Sequence, residues 1–153
     1  SIKKEINNRL IQVCKDGFPY EVCGYLIGII KYGKDTSGLD DLFEISDFMI
    51  CENINKENPD IRFEINPIDR LKAQKKAELN ELDVIGVYHS HPNHEAYASA
   101  TDNDFALEST AYLIYSIFDK EFNELKGYIK NGNTNKLENT EIIISWVSKK
   151  KLY

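Results

Sequence analysis

The 153-residue chain has few of the features that mark a disulfide-rich, metal-finger or membrane protein. Its only cysteines are Cys14, Cys23 and Cys51, and no Cys-x-x-Cys pair occurs, so the sequence predicts neither a disulfide framework nor an all-cysteine zinc site. Cys14 and Cys23 stand among apolar residues and are expected to be buried thiols. The longest apolar runs, at residues 25–30 and 142–147, are too short to span a bilayer.

Positive charge is also scarce. The formal net charge is −6, and the one basic run, at residues 149–151, is typical of a solvated tail, so no nucleic-acid partner is expected. The first residues are polar and an amphipathic stretch follows them, which predicts no signal peptide. With 42% hydrophobic and 29% charged residues, the composition indicates a cytoplasmic protein of one domain, residues 1–153, without a membrane partner.

The order of hydrophobic patterns predicts a mixed α/β domain. Apolar residues at helical spacing indicate a helix over residues 2–14, and Asn66-Pro67 caps and opens a second helix that runs to residue 80. A short helix is expected over residues 102–109. Strands are predicted at residues 22–31, 42–54, 62–65, 84–88, 111–118, 124–130 and 138–147. The fold class that follows is a mixed sheet flanked by helices.

The histidines are concentrated in one place. His89, His91 and His94 are the only three in the chain, and they lie within six residues. Along an extended chain His89 and His91 point to the same side, where two imidazoles can converge on one metal ion. Asp102 lies at the start of the next predicted helix, so it is well placed to supply a third ligand. Ser99 and Asp102 would each suit an ordinary helix cap, but the spacing of all four residues favours a metal site.

The motif His89-x-His91-x7-Ser99-x2-Asp102 is accompanied by Glu21, which opens a Glu-x-Cys-Gly-x-Leu-x-Gly segment. Further features of the same kind are Asn53, Arg62-Phe63, Pro67, residues 86–92 and residues 112–116. In these features the chain resembles the JAMM (MPN+) zinc metalloproteases over roughly residues 1–130. One departure is Ala98, which stands where many members have proline, and it alters loop stiffness more than chemistry.

The resemblance implies a fold, a metal and a set of roles. The fold would be a cytidine-deaminase-like MPN domain with its zinc site at a strand end. His89, His91 and Asp102 would hold one Zn²⁺ per chain and leave a fourth position open, as in catalytic zinc sites. Glu21 would act as general base, and Ser99 would donate a hydrogen bond to the oxyanion.

Two polar neighbours are given other roles. Ser90 should point away from the two flanking histidines in an extended chain, so it is expected to make a structural hydrogen bond. His94 is not needed as a ligand and is expected to be a loop residue near the substrate groove.

Two other functions fit parts of the pattern. Residues 89–94 differ from the HxHxDH motif of metallo-β-lactamases only at Asn93, but those enzymes need further histidines downstream and none follows His94. The second alternative is a non-catalytic scaffold or binding module of the MPN type. Inactive relatives usually lose a metal ligand, and this chain has all of them.

The substrate is implied by the compact bacterial and archaeal members, which the chain resembles in its length and at residues 91–96. Several of those members act on ubiquitin-like sulfur-carrier proteins, at or beyond the C-terminal Gly-Gly. The resemblance therefore implies such a carrier as the partner, and hydrolysis of a peptide or isopeptide bond as the reaction. Trimming of a C-terminal extension, release of an attached amino acid and cleavage of a lysine isopeptide bond all stay open.

Overall fold

The computed structural model describes residues 1–107 and 110–146, which form one curled eight-stranded sheet and three helices. In chain order the elements are β1 (Ile2–Lys3), α1 (Lys4–Gly17), β2 (Cys23–Lys31), β3 (Leu42–Cys51), α2 (Pro67–Glu78), β4 (Asp83–Pro92), α3 (Ala100–Phe105), β5 (Ala111–Phe118), β6 (Glu121–Asn131), β7 (Lys136–Thr140) and β8 (Ile144–Ser145). The predicted α/β class is confirmed. Within the described ranges no helix is both long and apolar enough to cross a bilayer.

The sheet order puts β4 near the centre. The strands follow one another as β7-β6-β5-β4-β2-β3-β1-β8. Strand β4 pairs antiparallel with β2 and parallel with β5. Because two parallel neighbours need a crossover connection, the chain between β4 and β5 must pass over one face of the sheet. This connection contains α3, so the topology carries residues 99–102 back towards the strand that bears the histidines.

The helices lie on both faces of the sheet. Helix α1 packs on one face, where Leu10 is fully buried and Asn7 accepts a hydrogen bond from the hydroxyl of Tyr115 at 2.7 Å. Helix α2 lies on the other face, with the guanidinium of Arg70 over the ring of Tyr25. Side chains alternate along the strands, so the two faces receive different residues. The three cysteines are buried free thiols, as predicted for two of them.

Two predicted strands are wrong. Residues 62–65 lie in an irregular segment, where the N–H of Ile54 donates to the carbonyl of Glu64 at 2.9 Å without a ladder forming. The single strand predicted at 138–147 is two strands, since β7 ends at Thr140 and β8 begins at Ile144, and residue 147 lies outside the described ranges. The reason is tertiary: β7 pairs with β6 at one edge of the sheet, whereas β8 pairs with β1 at the other.

Other boundaries differ by a few residues. Strand β4 continues to Pro92, so both histidines lie within the strand and not after it. Helix α3 begins two residues earlier than predicted because Ser99 is its N-cap, and it ends at Phe105; residue 109 lies outside the described ranges. The predicted start of α2 is confirmed, since Asn66 accepts a hydrogen bond from the N–H of Ile68 and Pro67 is the first helical residue.

Candidate metal centre

Strand β4 presents His89 and His91 side by side. The two residues are next-but-one neighbours in the strand and both are buried, so their imidazoles share one face, and their Nε2 atoms lie 3.1 Å apart. Ser90 points the opposite way and its Oγ accepts a hydrogen bond from the N–H of Val22 at 2.8 Å. The structural role predicted for Ser90 is therefore confirmed.

Helix α3 adds Asp102 to the pair of imidazoles. Its Oδ1 lies 3.3 Å from Nε2 of His89, and its Oδ2 lies 3.4 Å from Nε2 of His91. A capping box fixes this carboxylate, because the N–H of Ser99 donates to Oδ2 of Asp102 at 2.8 Å while Oγ of Ser99 accepts from the N–H of Asp102 at 3.0 Å. The capped N-terminus of α3 therefore sets the position of the Asp102 carboxylate.

Glu21 reaches the same place from the segment that precedes β2. It is buried, and its Oε1 lies 4.0 Å from Nε2 of His91. Its backbone is held at both ends: the N–H donates to the carbonyl of Pro59 at 2.7 Å, and the carbonyl accepts from the side-chain amide of Asn53 at 3.2 Å. These contacts hold a buried carboxyl group beside the histidines, and we call Glu21, His89, His91 and Asp102 the acid–histidine cluster.

The separations in the cluster test whether it can hold zinc. Glu21, His89 and His91 each place one donor atom within 4.8 Å of the others. Zinc binds nitrogen and oxygen at about 2.0–2.1 Å in a tetrahedron, which puts neighbouring donor atoms about 3.3 Å apart. The two Nε2 atoms lie 3.1 Å apart, and the Asp102 carboxylate approaches His89 through Oδ1 at 3.3 Å and His91 through Oδ2 at 3.4 Å, so each separation is close to this spacing. The 4.0 Å between Oε1 of Glu21 and Nε2 of His91 is longer. The donor set fits zinc, with Glu21 as the outermost member.

Hydrogen bonds and stacking orient the two rings. Nδ1 of His91 lies 2.9 Å from the carbonyl oxygen of Glu95. Because a carbonyl only accepts, this nitrogen carries the hydrogen, and Nε2 is turned towards the cluster. The ring of His89 stacks on Phe63 with a centroid separation of 4.5 Å and an interplanar angle of 26°. Nδ1 of His89 has no hydrogen-bonding partner among the described residues.

The protonation states in the cluster differ because the surroundings differ. Burial raises the pKa of Glu21 to about 7, and the imidazole of His91 only partly offsets that rise. Burial acts in the same direction on Asp102, but hydrogen bonds from His89 and His91 outweigh it and hold the pKa of Asp102 well below its usual range. Burial lowers the pKa of His89. For His91 the hydrogen bonds with Asp102 and the Glu95 carbonyl outweigh burial, and its pKa is raised.

The cluster opens into a cavity of about 960 Å³. The predicted ligands, base and oxyanion donor line this cavity together with His94: Glu21, His89, His91, His94, Ser99 and Asp102. His94 is exposed there, as expected of a loop residue beside a groove. Phe63 and Tyr112, which belong to the family-like features of the sequence, also line it, and so does Arg70, which no sequence pattern marked. Arg70 belongs to α2, far in sequence from the histidines, so no local pattern could have assigned it to this site.

Comparison with known proteins gives one family. A family profile described as prokaryotic homologs of the JAB domain matches residues 3–127. The CysO-cysteine peptidase of Mycobacterium bovis is 28% identical over 129 residues, which are 83% of this chain and 80% of that protein. The desampylase of Pyrococcus furiosus is 35% identical over 71 residues, 46% of this chain and only 41% of the desampylase.

The fold has neighbours among solved structures. A JAB1/MPN domain protein from Archaeoglobus fulgidus superposes with a TM-score of 0.56 at 16% sequence identity, covering 97% of this chain and 96% of that one. At this level of identity the likeness concerns the fold. The ligand, base and donor roles of the individual residues therefore stay predictions.

Proposed function

Because the chain belongs to the prokaryotic JAB (JAMM) family, we propose that it is a zinc metallopeptidase that hydrolyses a peptide or isopeptide bond at the C-terminal Gly-Gly of a ubiquitin-like or sulfur-carrier protein. The observation that carries this proposal is the acid–histidine cluster, in which the buried carboxyl group of Glu21 stands with His89, His91 and Asp102 at separations that suit a zinc ion. The named activities of the peptidase and desampylase relatives support the choice of substrate class.

In this proposal His89, His91 and Asp102 hold the zinc. Bound zinc would lower the pKa of a coordinated water to about 7 and so supply a nucleophile at neutral pH. Glu21 takes up the proton released when water adds to the scissile carbonyl, and it passes that proton to the leaving nitrogen. Its raised pKa of about 7 suits both directions of transfer near neutral pH.

Ser99 would stabilise the negative charge that forms on the carbonyl oxygen. Its Oγ already accepts the N–H of Asp102 at 3.0 Å, which uses an acceptor position and leaves the hydroxyl hydrogen available to donate. The residue lines the same cavity as the acid–histidine cluster. The helix cap and the proposed oxyanion donor are therefore compatible functions of one side chain.

A non-catalytic scaffold of the MPN type is the alternative function. Burying a carboxyl group costs free energy. A scaffold would gain no function that offsets this cost by keeping such a group beside two imidazoles. A scaffold should also purify without stoichiometric zinc and be indifferent to chelators. Zinc analysis of the purified protein distinguishes the two.

The reaction is tested by incubating the zinc-loaded protein with two kinds of substrate. One is a ubiquitin-like carrier with residues added after Gly-Gly, and the other is the same carrier joined to a lysine side chain. We expect mass spectrometry to show a carrier ending in Gly-Gly and a released peptide, amino acid or amine, with one water added across the cleaved bond. Glu21→Ala is the control for contaminating peptidases. If zinc is bound and neither substrate is cleaved, the proposal is wrong.

A further inference from the structure

A groove extends from the acid–histidine cluster along the sheet towards α2. Its floor is one rung of the ladder, in which Val87 of β4 pairs with Tyr25 of β2 on one side and with Tyr112 of β5 on the other. Val87 is two residues from His89, so this rung lies about 7 Å from the level of the cluster. All of these residues line the cavity that contains the cluster. An extended peptide bound at the cluster would therefore pass over this rung.

A cation that has no anionic partner among the described residues stands over the floor of the groove. Arg70, in the first turns of α2, is partly buried, and its guanidinium carbon lies 5.4 Å from the centre of the Tyr25 ring. Within the described ranges no carboxylate or carbonyl pairs with it. The carboxylate of the neighbouring Asp69 pairs with Lys72 and not with Arg70: Oδ1 of Asp69 lies 3.9 Å from Nζ of Lys72. A guanidinium held in a largely apolar groove gains most from an anionic partner, and none of the described residues pairs with it as one.

A hydroxyl group lines the same groove as this cation. The phenol oxygen of Tyr112 accepts the N–H of Leu107 at 2.7 Å, which leaves its own hydrogen free to donate. Tyr112 lies on the same rung as Tyr25, and both tyrosines line the cavity together with Arg70. Burial raises the pKa of both phenols, and the charge of Arg70 partly offsets each rise. A guanidinium and a phenol hydroxyl are therefore available as donors along this rung of the groove.

We propose that Arg70 and the hydroxyl of Tyr112 form a subsite for a carboxylate carried by the peptide substrate, about two or three residues from the cleaved bond. The planar guanidinium matches a carboxylate through two parallel hydrogen bonds, and the apolar walls of the groove strengthen them. The carboxylate is either an aspartate or glutamate side chain or the chain terminus itself. This inference rests on the proposed function, because the same substrate would occupy the cluster and the subsite.

Binding of synthetic peptides tests the subsite without requiring cleavage. A set of Gly-Gly peptides carries glutamate at each of three positions before and after the Gly-Gly, each with a glutamine counterpart, and further pairs end in an acid or an amide. Calorimetric titration into zinc-loaded Glu21→Gln protein gives the affinity of each. We expect one position, or the terminal acid, to bind about tenfold tighter than its neutral counterpart.

Variants of α2 assign this preference to one side chain. Arg70→Gln should abolish the tighter binding of the acidic peptide over its neutral counterpart. Arg70→Lys should keep part of this difference because the positive charge is retained. Lys72→Gln, which removes an exposed cation two residues along the same helix, should keep all of it. Circular dichroism confirms that each variant is folded.

Three results would overturn the subsite: no carboxylate preference at any position, no measurable binding, or an unchanged preference in Arg70→Gln. A preference that depends on Arg70, in a protein that cleaves no carrier, would contradict only the proposed function. The two proposals therefore fail separately.

Discussion

The two acids of the acid–histidine cluster have opposite electrostatic environments. Asp102 lies within 3.3 and 3.4 Å of two imidazole nitrogens, which hold its pKa low and keep it ionised as a metal ligand must be. Glu21 is buried and lies farther from the imidazoles, and its pKa rises to about 7. Two carboxyl groups whose pKa values are pushed apart are suited to different tasks. This difference is the physical reason for proposing Asp102 as the ligand and Glu21 as the base.

A single substitution separates these tasks. Glu21→Gln keeps the shape of the side chain but removes the group that accepts a proton, so zinc should stay stoichiometric while kcat falls by about 10²–10⁴. The measurements are zinc content by atomic emission and carrier cleavage by mass spectrometry. Glu64→Gln is the matched control, since Glu64 is an exposed acid that lines the same cavity. Near-normal turnover in Glu21→Gln would remove Glu21 from the mechanism.

At the scale of elements, the six-residue helix α3 depends on the sheet for its position. A helix this short is not stable by itself, because its few hydrogen bonds do not offset the cost of nucleation. Asn103 accepts the N–H of Leu137 at 2.9 Å and donates to the carbonyl of Ser99 at 3.1 Å. The buried ammonium of Lys130 donates to the carbonyl of Ala106 at 2.8 Å, just beyond the helix. Strands β6 and β7 therefore hold the helix that carries Asp102.

Removing one of these anchors should weaken metal binding from a distance. Lys130→Met keeps an apolar stem but leaves the Ala106 carbonyl without its donor, which costs about 1–3 kcal/mol of stability. We expect lower zinc affinity in a competition titration with a chromophoric chelator, and partial recovery in Lys130→Arg. Lys136→Met, at an exposed position of β7, is the control. A loss of stability with unchanged zinc affinity would show that Lys130 supports the fold but does not position α3.

For the whole molecule, the cluster joins segments that are distant in sequence: the segment that precedes β2, strand β4 and helix α3. Unfolding separates them, so zinc should bind the native state in preference to the unfolded chain. Metal binding is therefore expected to be coupled to global stability.

Thermal unfolding with and without a chelator measures this coupling. Free zinc at 100 times its Kd adds about 2.7 kcal/mol, so removing zinc should lower the Tm by roughly 5–10 °C for a domain of this size. His89→Ala and Asp102→Asn should lose the response, whereas Asp104→Asn, an exposed acid of the same helix, should keep it. Full zinc occupancy in both His89→Ala and Asp102→Asn would show that the ligand assignment is wrong.

The sequence by itself determined the features that depend on neighbouring residues. Alternation along an extended strand placed His89 and His91 on one face and Ser90 on the other, and local capping marked the start of α2 at Asn66. The motifs around Glu21 and Asp102 were enough to identify the family. Each of these features depends on residues only a few positions apart. Their relative placement is set by the local backbone conformation and does not depend on where the segment packs.

Tertiary structure alone decided the pairing partners and the surroundings of the site. Residues 62–65 have a strand-like sequence but form no ladder, and residues 138–147 divide between opposite edges of the sheet. The groove beside the cluster likewise joins Arg70 of α2 to tyrosines of β2 and β5. The physical reason is that periodicity sets the direction of a side chain, whereas hydrogen-bonding partners and electrostatic neighbours depend on segments far away in sequence.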